Sequence, residues 1–210
     1  MCWLIDTIKI KKDTLKPIII YGNTIKEVSD LYRFIKTEIP DLGTVEMFHS
    51  ETDEKVKKRV IANLQKEEKD KSIKIVCATS ALGMGIDTVG FHNVVFYGAP
   101  RLLVDFVQEA GRVGRDGQSS IALVLSHNLR FVEEDLKNLV RMKEGCRRHS
   151  LLSNFVSSAE LSKIVADEGN RHTCCDLCAA KCTCGSCEQF GVEEYFGPSG
   201  AFGCTQVTTS

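Results

Sequence analysis

Two arginines set among glycines carry the clearest chemical signal in the sequence. The segment from Gln108 to Gly117 reads Gln-Glu-Ala-Gly-Arg-Val-Gly-Arg-Asp-Gly, which places Arg112 and Arg115 three residues apart at the end of a predicted helix. Two guanidinium groups beside glycines, which leave the backbone open, are suited to binding a polyphosphate. The alternative is a plain helix end, in which cations offset the helix dipole and glycine stops the helix. One arginine and one glycine would be enough for that purpose.

A second glycine-containing segment directly follows a predicted strand. The segment from Thr79 to Asp87 reads Thr-Ser-Ala-Leu-Gly-Met-Gly-Ile-Asp. Its two glycines allow the backbone to approach an anion closely, or to form a tight turn. Because a simple turn between two strands also uses glycine, this segment alone does not decide between an anion site and a turn.

The ten cysteines of the chain form a third chemical group. An intracellular chain keeps its thiols reduced, so we expect metal binding rather than disulfides. Cys175 and Cys178 have the spacing that lets two thiolates share one tetrahedral zinc ion, and Cys146 and Cys174 would complete four sulfur ligands. The sequence therefore predicts a zinc site made by these four cysteines.

A second set of cysteines is an alternative zinc site. Cys184 and Cys187 form a second pair with the same spacing, so Cys175, Cys178, Cys184 and Cys187 are an alternative ligand set. Only five residues separate these two pairs, whereas two-pair zinc sites usually have about 15–20. We therefore favour the set with Cys146 and leave open whether further residues of suitable chemistry hold a second metal or none, namely His172, Cys182, Cys184 and Cys187.

Length and composition limit the kind of protein. The chain has 210 residues, of which 43% are hydrophobic and 26% charged, so it is neither collagenous nor low in complexity and has room for one domain plus a small module. The net charge of -1 gives no general attraction to nucleic acid, so any such site must be local. No apolar run is long enough to span a membrane, and Asp6 comes too early for a secretory signal. We expect an intracellular protein, nuclear if eukaryotic and otherwise cytoplasmic.

The elements that must position these groups alternate in type from Lys16 to Ser126. Short apolar runs predict strands, and amphipathic stretches between them predict helices, which is typical of an α/β fold with a parallel sheet covered by helices. Thr24 with Glu27, and the segment from Ser50 to Asp53, resemble capping boxes that open two of these helices. The predicted strands are 17–21, 45–49, 73–78, 94–97 and 121–125, and a further helix is predicted from about 102 to 111.

After Ser126 the pattern predicts only helices. One helix contains the apolar positions from Leu129 to Met142, and a second begins at Cys146-Arg147-Arg148. We divide the chain into a lead-in at 1–15, an α/β domain at 16–128, a small helical zinc-binding subdomain at 129–190 and a loosely ordered tail at 191–210.

Four segments, taken in order, resemble the motifs of one helicase family. Ile18 to Thr24, His49-Ser50, Thr79 to Asp87 and Gln108 to Gly117 are similar to helicase motifs IV, IVa, V and VI of the second RecA-like lobe of RecQ DNA helicases. RNA helicases of the DEAD-box class carry a different final motif. The resemblance implies a RecA-like parallel sheet from about Pro17 to Ser126.

The cysteine segment resembles the same family independently. Cys146-Arg147-Arg148, followed downstream by Cys174-Cys175-Asp176-Leu177-Cys178, is similar to the helical zinc subdomain of RecQ helicases, especially the Werner type with adjacent cysteines. The resemblance implies that Zn²⁺ is bound by Cys146, Cys174, Cys175 and Cys178.

The resemblance also implies roles for the motif residues. Arg115 would be the arginine finger on the γ-phosphate of ATP, with Arg112 assisting it. The other residues implied at the nucleotide site are Gly85, Asp87, Gln108 and Gly111, of which Gly85 and Asp87 would couple the nucleotide state to the grip on DNA. The residues implied at the DNA path are His49, Thr79 and Ser80.

One half of such a motor is missing from the sequence. Neither a Gly-x-x-x-x-Gly-Lys loop nor an Asp-Glu-x-His box is present, so ATP and Mg²⁺ would be held mainly by a first RecA-like lobe outside this sequence. The complete motor would move 3′ to 5′ along single-stranded DNA and separate duplex junctions, with no membrane partner. The alternatives are a catalytically silent remnant that binds DNA or a partner through its zinc module, and an RNA-directed relative, which the last motif and the Cys-Arg-Arg helix disfavour.

Overall fold

The computed structural model describes residues 2–10, 15–40, 45–67, 70–83, 86, 88–118, 120–165, 174–183 and 207–209. The strands are β1 (Ile18–Gly22), β2 (Val45–Phe48), β3 (Ile75–Ala78), β4 (Asn93–Tyr97), β5 (Ile121–Leu125) and β6 (Val207–Thr209). The helices are α1 (Cys2–Ile10), α2 (Ile25–Glu38), α3 (Glu54–Leu64), α4 (Leu103–Ala110), α5 (Glu134–Arg141), α6 (Arg147–Leu152), α7 (Ser158–Val165) and α8 (Asp176–Ala179). No helix among these residues is long and apolar enough to cross a membrane.

The strands form one sheet in the order β2-β3-β1-β4-β5-β6. β1 lies in the middle, where Ile18 pairs in parallel with Ile75 of β3 on one side and with Asn93 of β4 on the other. The β2–β3 and β4–β5 pairs are also parallel, and only β6 runs antiparallel, beside β5. The predicted fold class, a parallel sheet covered by helices, is confirmed.

The two faces of the sheet bury two separate groups of apolar side chains. Because successive residues of a strand point to opposite faces, Ile18 and Ile20 pack under α1 and α2, whereas Ile19 and Tyr21 pack under α3, α4 and α5. All four side chains are at most 2% exposed. The central strand is therefore buried on both faces, as its uninterrupted apolar sequence predicts.

One of the two predicted capping boxes is confirmed and the other is corrected. Thr24 caps α2, because its Oγ1 accepts a hydrogen bond of 3.1 Å from the Glu27 amide. Ser50 does not open α3. That helix begins after Asp53, whose Oδ1 accepts from the Lys55 amide at 2.9 Å, because the backbone from His49 to Thr52 is used in a turn.

One helix is shorter than predicted, and other helices were not predicted. The lead-in contains α1, whose Leu4, Ile5 and Ile8 are at most 3% exposed and belong to the core of the α/β domain. α5 is shorter than the predicted helix from Leu129 to Met142. The Glu133 amide donates to the Arg101 carbonyl at 2.7 Å rather than to the Leu129 carbonyl, as a longer helix would require. The helix α7 was not predicted. Most of the predicted loose tail lies outside the described residues, and Val207–Thr209 form β6.

Candidate functional site

A crevice opens at the carboxyl edge of the sheet between the neighbouring strands β1 and β4. The helix that follows β1 packs on one face of the sheet and the helix that follows β4 packs on the other, so the chain leaves these strands in opposite directions. Open α/β sheets bind their ligands at such a point. The cleft there measures about 280 Å³ and is lined by Tyr21, Gly22, Asn23, Ser80, Phe96, Gly98, Pro100, Arg101, Asp105 and Glu109.

Two buried polar side chains line this cleft. Tyr21 is 2% exposed, and its hydroxyl has no hydrogen-bond partner within the described part of the chain. Glu109 is 6% exposed. Burial, helped by the nearby Asp105 carboxylate and opposed by Arg112, raises the pKa of Glu109 to about 8. The Glu109 carboxyl is therefore mostly protonated at pH 7.

Arg112 links the arginine segment to the connection between β3 and β4. Its Nη1 donates to the Ile86 carbonyl at 2.6 Å, and its own carbonyl accepts a hydrogen bond from the Thr88 hydroxyl. Its Nε is buried and has no partner among the described residues. Arg112 thus joins its own motif, the segment from Gln108 to Gly117, to the motif from Thr79 to Asp87, which lies far from it in the sequence.

Arg115 occupies a different environment. Its side chain is exposed, and its Nε donates to the Gly111 carbonyl at 3.2 Å. The turn between the two arginines requires glycine at position 114, because φ is +69° there and a Cβ atom would lie 2.6 Å from the Ser120 Oγ. Arg115 is therefore presented at the surface on a rigid turn.

Two of the remaining predicted nucleotide-binding residues lie at α4, and the other two lie outside the described residues. Gln108 is exposed on α4, and Gly111 ends that helix with its amide donating to the Val107 carbonyl at 2.8 Å. Gly85 and Asp87 lie outside the described residues. The structure thus places Gln108, Gly111, Arg112 and Arg115 together at and after the end of α4.

The three predicted DNA-binding residues lie together at the carboxyl edge. The Thr79 amide donates to the Phe48 carbonyl at 3.1 Å, which sets the end of β3 beside His49 at the end of β2. His49 is 6% exposed, and its Nδ1 accepts from the Glu51 amide at 3.2 Å, so the neutral ring carries its proton on Nε2. Thr79 is half-buried, and the exposed Ser80 opens a 3₁₀ turn over Ser80–Gly83.

A candidate metal centre lies apart from the sheet. The sulfur atoms of Cys146, Cys174, Cys175 and Cys178 all lie within 4.8 Å of one another, and those of Cys146 and Cys174 are 3.5 Å apart. A tetrahedral zinc ion with Zn–S bonds of about 2.3 Å holds its sulfur ligands about 3.8 Å apart, so the four thiols fit it. The competing residues His172, Cys184 and Cys187 lie outside the described residues, and Cys182 is not part of this cluster.

Helix ends and hydrogen bonds set the charge of the cysteine cluster. Cys146 caps α6, where its Sγ accepts from the His149 amide at 3.4 Å. Burial opposes ionisation of Cys146, but this amide and the neighbouring thiols lower its pKa. Burial raises the pKa of Cys174 to about 11 and also raises that of Cys178. The protein groups alone therefore favour the thiolate of Cys146 and the thiols of Cys174 and Cys178, and a bound cation would be needed to ionise the latter two.

Arg147 connects the cysteine cluster to the helix before it. Its side chain is 4% exposed, and its Nε and Nη2 donate to the two carboxylate oxygens of Asp176 at 2.7 and 3.1 Å. The same guanidinium donates to the carbonyls of Leu139, Val140 and Met142 at the end of α5. Sequence reasoning placed Arg147 at a helix start but missed this role, although the acid between Cys175 and Cys178 is the signal that could have suggested it.

Comparison with known proteins agrees with this arrangement. The family model described as helicase conserved C-terminal domain matches residues 2–117, more than half of the chain. The bifunctional 3′-5′ exonuclease/ATP-dependent helicase WRN of Mus musculus is 36% identical over 126 residues, covering 50% of this chain and 9% of the relative. The ATP-dependent DNA helicase RecQ of Bacillus subtilis is 28% identical over 153 residues, covering 66% of this chain and 25% of the relative.

A solved structure shows the same fold. The DEAD-box helicase Mss116, bound to ssRNA and UDP-BeF, superposes with a TM-score of 0.52 at 20% identity over 77% of this chain and 34% of that one. The chain belongs to the helicase conserved C-terminal domain family and is a RecA-like C-terminal lobe of RecQ type. It spans at most a quarter of the length of these two curated relatives.

The buried carboxyl of Glu109 predicts a pH-dependent stability. The pKa of Glu109 is raised from 4.5 to about 8 on folding, so its contribution to stability is complete below pH 4.5 and is lost as the pH rises towards 8. Glu109→Gln, which keeps the neutral form, should match the wild-type melting temperature at pH 5 and exceed it at pH 9. The exposed Glu51→Gln is the control and should follow the wild type. Equal pH dependence in all three proteins would contradict the assignment.

Proposed function

We propose that this chain is the second motor lobe and zinc module of an ATP-dependent 3′–5′ DNA helicase. The observation that carries the proposal is the pair of arginines after α4, in which Arg112 is fixed to the Ile86 carbonyl while Arg115 is presented at the surface. A helicase C-terminal lobe with this arrangement can meet a nucleotide held by a companion lobe and transmit its presence to the β3–β4 connection.

The nucleotide is proposed to bind mainly outside this sequence, which has no phosphate-binding Gly-x-x-x-x-Gly-Lys loop. ATP, bound with Mg²⁺ by a first lobe, would supply the phosphoryl group, and the negative charge on that group must be neutralised. Arg115 would stabilise that charge with its two-pronged guanidinium. Arg112 would assist Arg115, and Gly85 and Asp87, which flank Ile86 in the sequence, would couple this contact to the DNA-binding edge.

The DNA strand is proposed to cross the carboxyl edge of the sheet. His49 can donate from Nε2, and the Thr79 and Ser80 hydroxyls can donate to phosphate oxygens. The curated relative from Bacillus subtilis is named a DNA helicase. These contacts would be to the backbone of the strand, so they would position it without reading its sequence.

The zinc ion is proposed to bind Cys146, Cys174, Cys175 and Cys178 and to have a structural role. Zinc bound by four thiolates would lock α6 against α8, and Arg147 would carry that rigidity to the end of α5. The zinc module would thereby hold a fixed orientation relative to the helix that covers the sheet.

The arginine finger is tested by Arg115→Lys in a protein that contains both lobes. Lysine keeps the charge but not the fork, so the rate of ATP hydrolysis should fall by a factor on the order of 10³–10⁵. The melting temperature and the affinity for single-stranded DNA should change little, because the Arg115 side chain is exposed. Steady-state ATPase assays, thermal melts and fluorescence anisotropy with labelled DNA measure the three quantities.

Two further proteins complete this experiment. Arg33→Lys, an exposed arginine on α2, is the matched control and should hydrolyse ATP at the wild-type rate. The 210-residue chain alone should show no DNA-stimulated ATPase activity. Hydrolysis by Arg115→Lys within a few fold of the wild type, or unfolding of that variant, would make Arg115 a helix cap instead.

The metal proposal is tested by elemental analysis of the purified chain. One zinc ion per chain is expected, and each Cys→Ser change at positions 146, 174, 175 and 178 should lower the zinc content. Chelation should make the segment after β5 sensitive to limited proteolysis and leave the sheet resistant. Cys182→Ser is the control and should retain zinc. Full zinc retention in Cys146→Ser and Cys174→Ser, with loss of zinc in Cys184→Ser and Cys187→Ser, would favour the competing ligand set. A purified chain without zinc would contradict both sets.

A further inference from the structure

An aromatic side chain is exposed on the loop that joins β5 to α5. This loop, residues 126–133, is called the β5–α5 loop below. Phe131 is 70% exposed, although a phenylalanine is normally buried. The Phe131 ring belongs to neither of the two apolar cores that the described residues form on the faces of the sheet.

Two arginines accompany the exposed ring. The Arg130 guanidinium lies over the Phe131 ring, 5.4 Å from its centre. Arg101 is held nearby, because its carbonyl accepts from the Glu133 amide at 2.7 Å. Both arginines are exposed, and neither forms an ion pair with another described residue.

The two glutamates at the end of this loop already have partners. The Glu133 carboxylate accepts from the Leu103 amide at 2.9 Å, at the start of α4. Glu134 pairs with Lys137 at 3.1 Å. The other charged groups close to the loop are the cations of Arg101 and Arg130, the carboxylate of Asp105 in the cleft and the carboxylate of Asp135 in the first turn of α5.

The β5–α5 loop lies at the same edge of the sheet as the proposed DNA residues. The His127 ring packs at a tilt of 44° against Tyr97 at the end of β4, with ring centres 4.8 Å apart. β3, which precedes Thr79 and Ser80, is three strands away from β5 in the sheet. At about 4.8 Å per strand, this separation is about 14 Å. A single nucleic-acid strand a few nucleotides long can cover that distance.

We infer that Phe131 stacks on a base of single-stranded DNA, with Arg101 and Arg130 contacting the flanking phosphates. An aromatic ring beside cations is the arrangement that binds single strands without sequence preference, because every base has a flat face. The inference rests on the proposed function and extends the DNA path from the ends of β2 and β3 across the sheet to the β5–α5 loop.

DNA is a better occupant of this surface than an apolar protein segment. Two exposed arginines without ion pairs would lose hydration in an apolar contact and gain no partner, whereas phosphates would satisfy both. A base also needs one exposed ring rather than a continuous apolar groove, and Phe131 supplies that ring.

The experiment measures binding of a fluorescein-labelled single-stranded oligonucleotide of mixed sequence to the 210-residue chain by anisotropy. Base stacking on an aromatic ring corresponds to a loss of about 5- to 150-fold in affinity when the ring is removed, which is the expectation for Phe131→Ala. Phe131→Trp should bind within a few fold of the wild type. Phe155→Ala, which removes a ring that is 46% exposed after α6, is the matched control and should not change the affinity.

The salt dependence of binding separates the arginines from the ring. Arg101→Ala and Arg130→Ala should each reduce the slope of the logarithm of affinity against the logarithm of salt concentration by about one, and Phe131→Ala should leave it unchanged. If the wild type binds DNA and Phe131→Ala binds it with the same affinity, the inference would be overturned and the proposed function would remain intact. Failure of the wild type to bind DNA would remove both. Dissociation of a wild-type oligomer by Phe131→Ala, without loss of DNA affinity, would instead make the ring a protein contact and overturn the inference.

Discussion

The parallel pairing of the central strand determines where everything else in this lobe can lie. β1 is hydrogen-bonded to β3 on one side and to β4 on the other, and its residues Ile18 to Tyr21 are buried on both faces. Because all three strands run the same way, the segments that follow them must emerge at one edge. This constraint brings Asn23, Ser80 and Arg101 into one cleft, although they come from three separate parts of the sequence.

The guanidinium groups of Arg112 and Arg147 connect segments that the sheet alone does not hold together. Arg112 reaches the Ile86 carbonyl, which is 26 residues earlier in the chain, and Arg147 reaches Asp176, which is 29 residues later. The Arg112 carbonyl also accepts from the Thr88 hydroxyl, and the Arg147 guanidinium also donates to the Met142 carbonyl. An arginine can do this because it has five donors in a fixed plane and does not lose its charge. The first connection links the segment after α4 to the connection between β3 and β4, and the second links the cysteine cluster to α5.

Local patterns in the sequence predicted the strands and the order of the motifs. Uninterrupted apolar runs such as Ile18 to Tyr21 can only be satisfied in a sheet covered on both faces, and the Thr24 cap depends on residues three apart. The spacing of Cys175 and Cys178 predicted that they share one metal ion, and the family resemblance added Cys146 and Cys174, which the structure places in the same cluster. The remaining features depend on contacts between distant residues. Neither the packing of α1 in the core nor the burial of Glu109 beside Asp105 follows from the neighbouring sequence.

The central claim is that one edge of the sheet carries the contacts to single-stranded DNA. Hydrogen–deuterium exchange of the backbone amides, compared with and without a saturating single-stranded oligonucleotide, tests it most directly. We expect slower exchange in the segments after β2, β3, β4 and β5, at residues 49–52, 79–82, 98–102 and 126–133, and unchanged exchange at the opposite edge before β3 and β4. Protection confined to that opposite edge, or to the cysteine cluster alone, would contradict it.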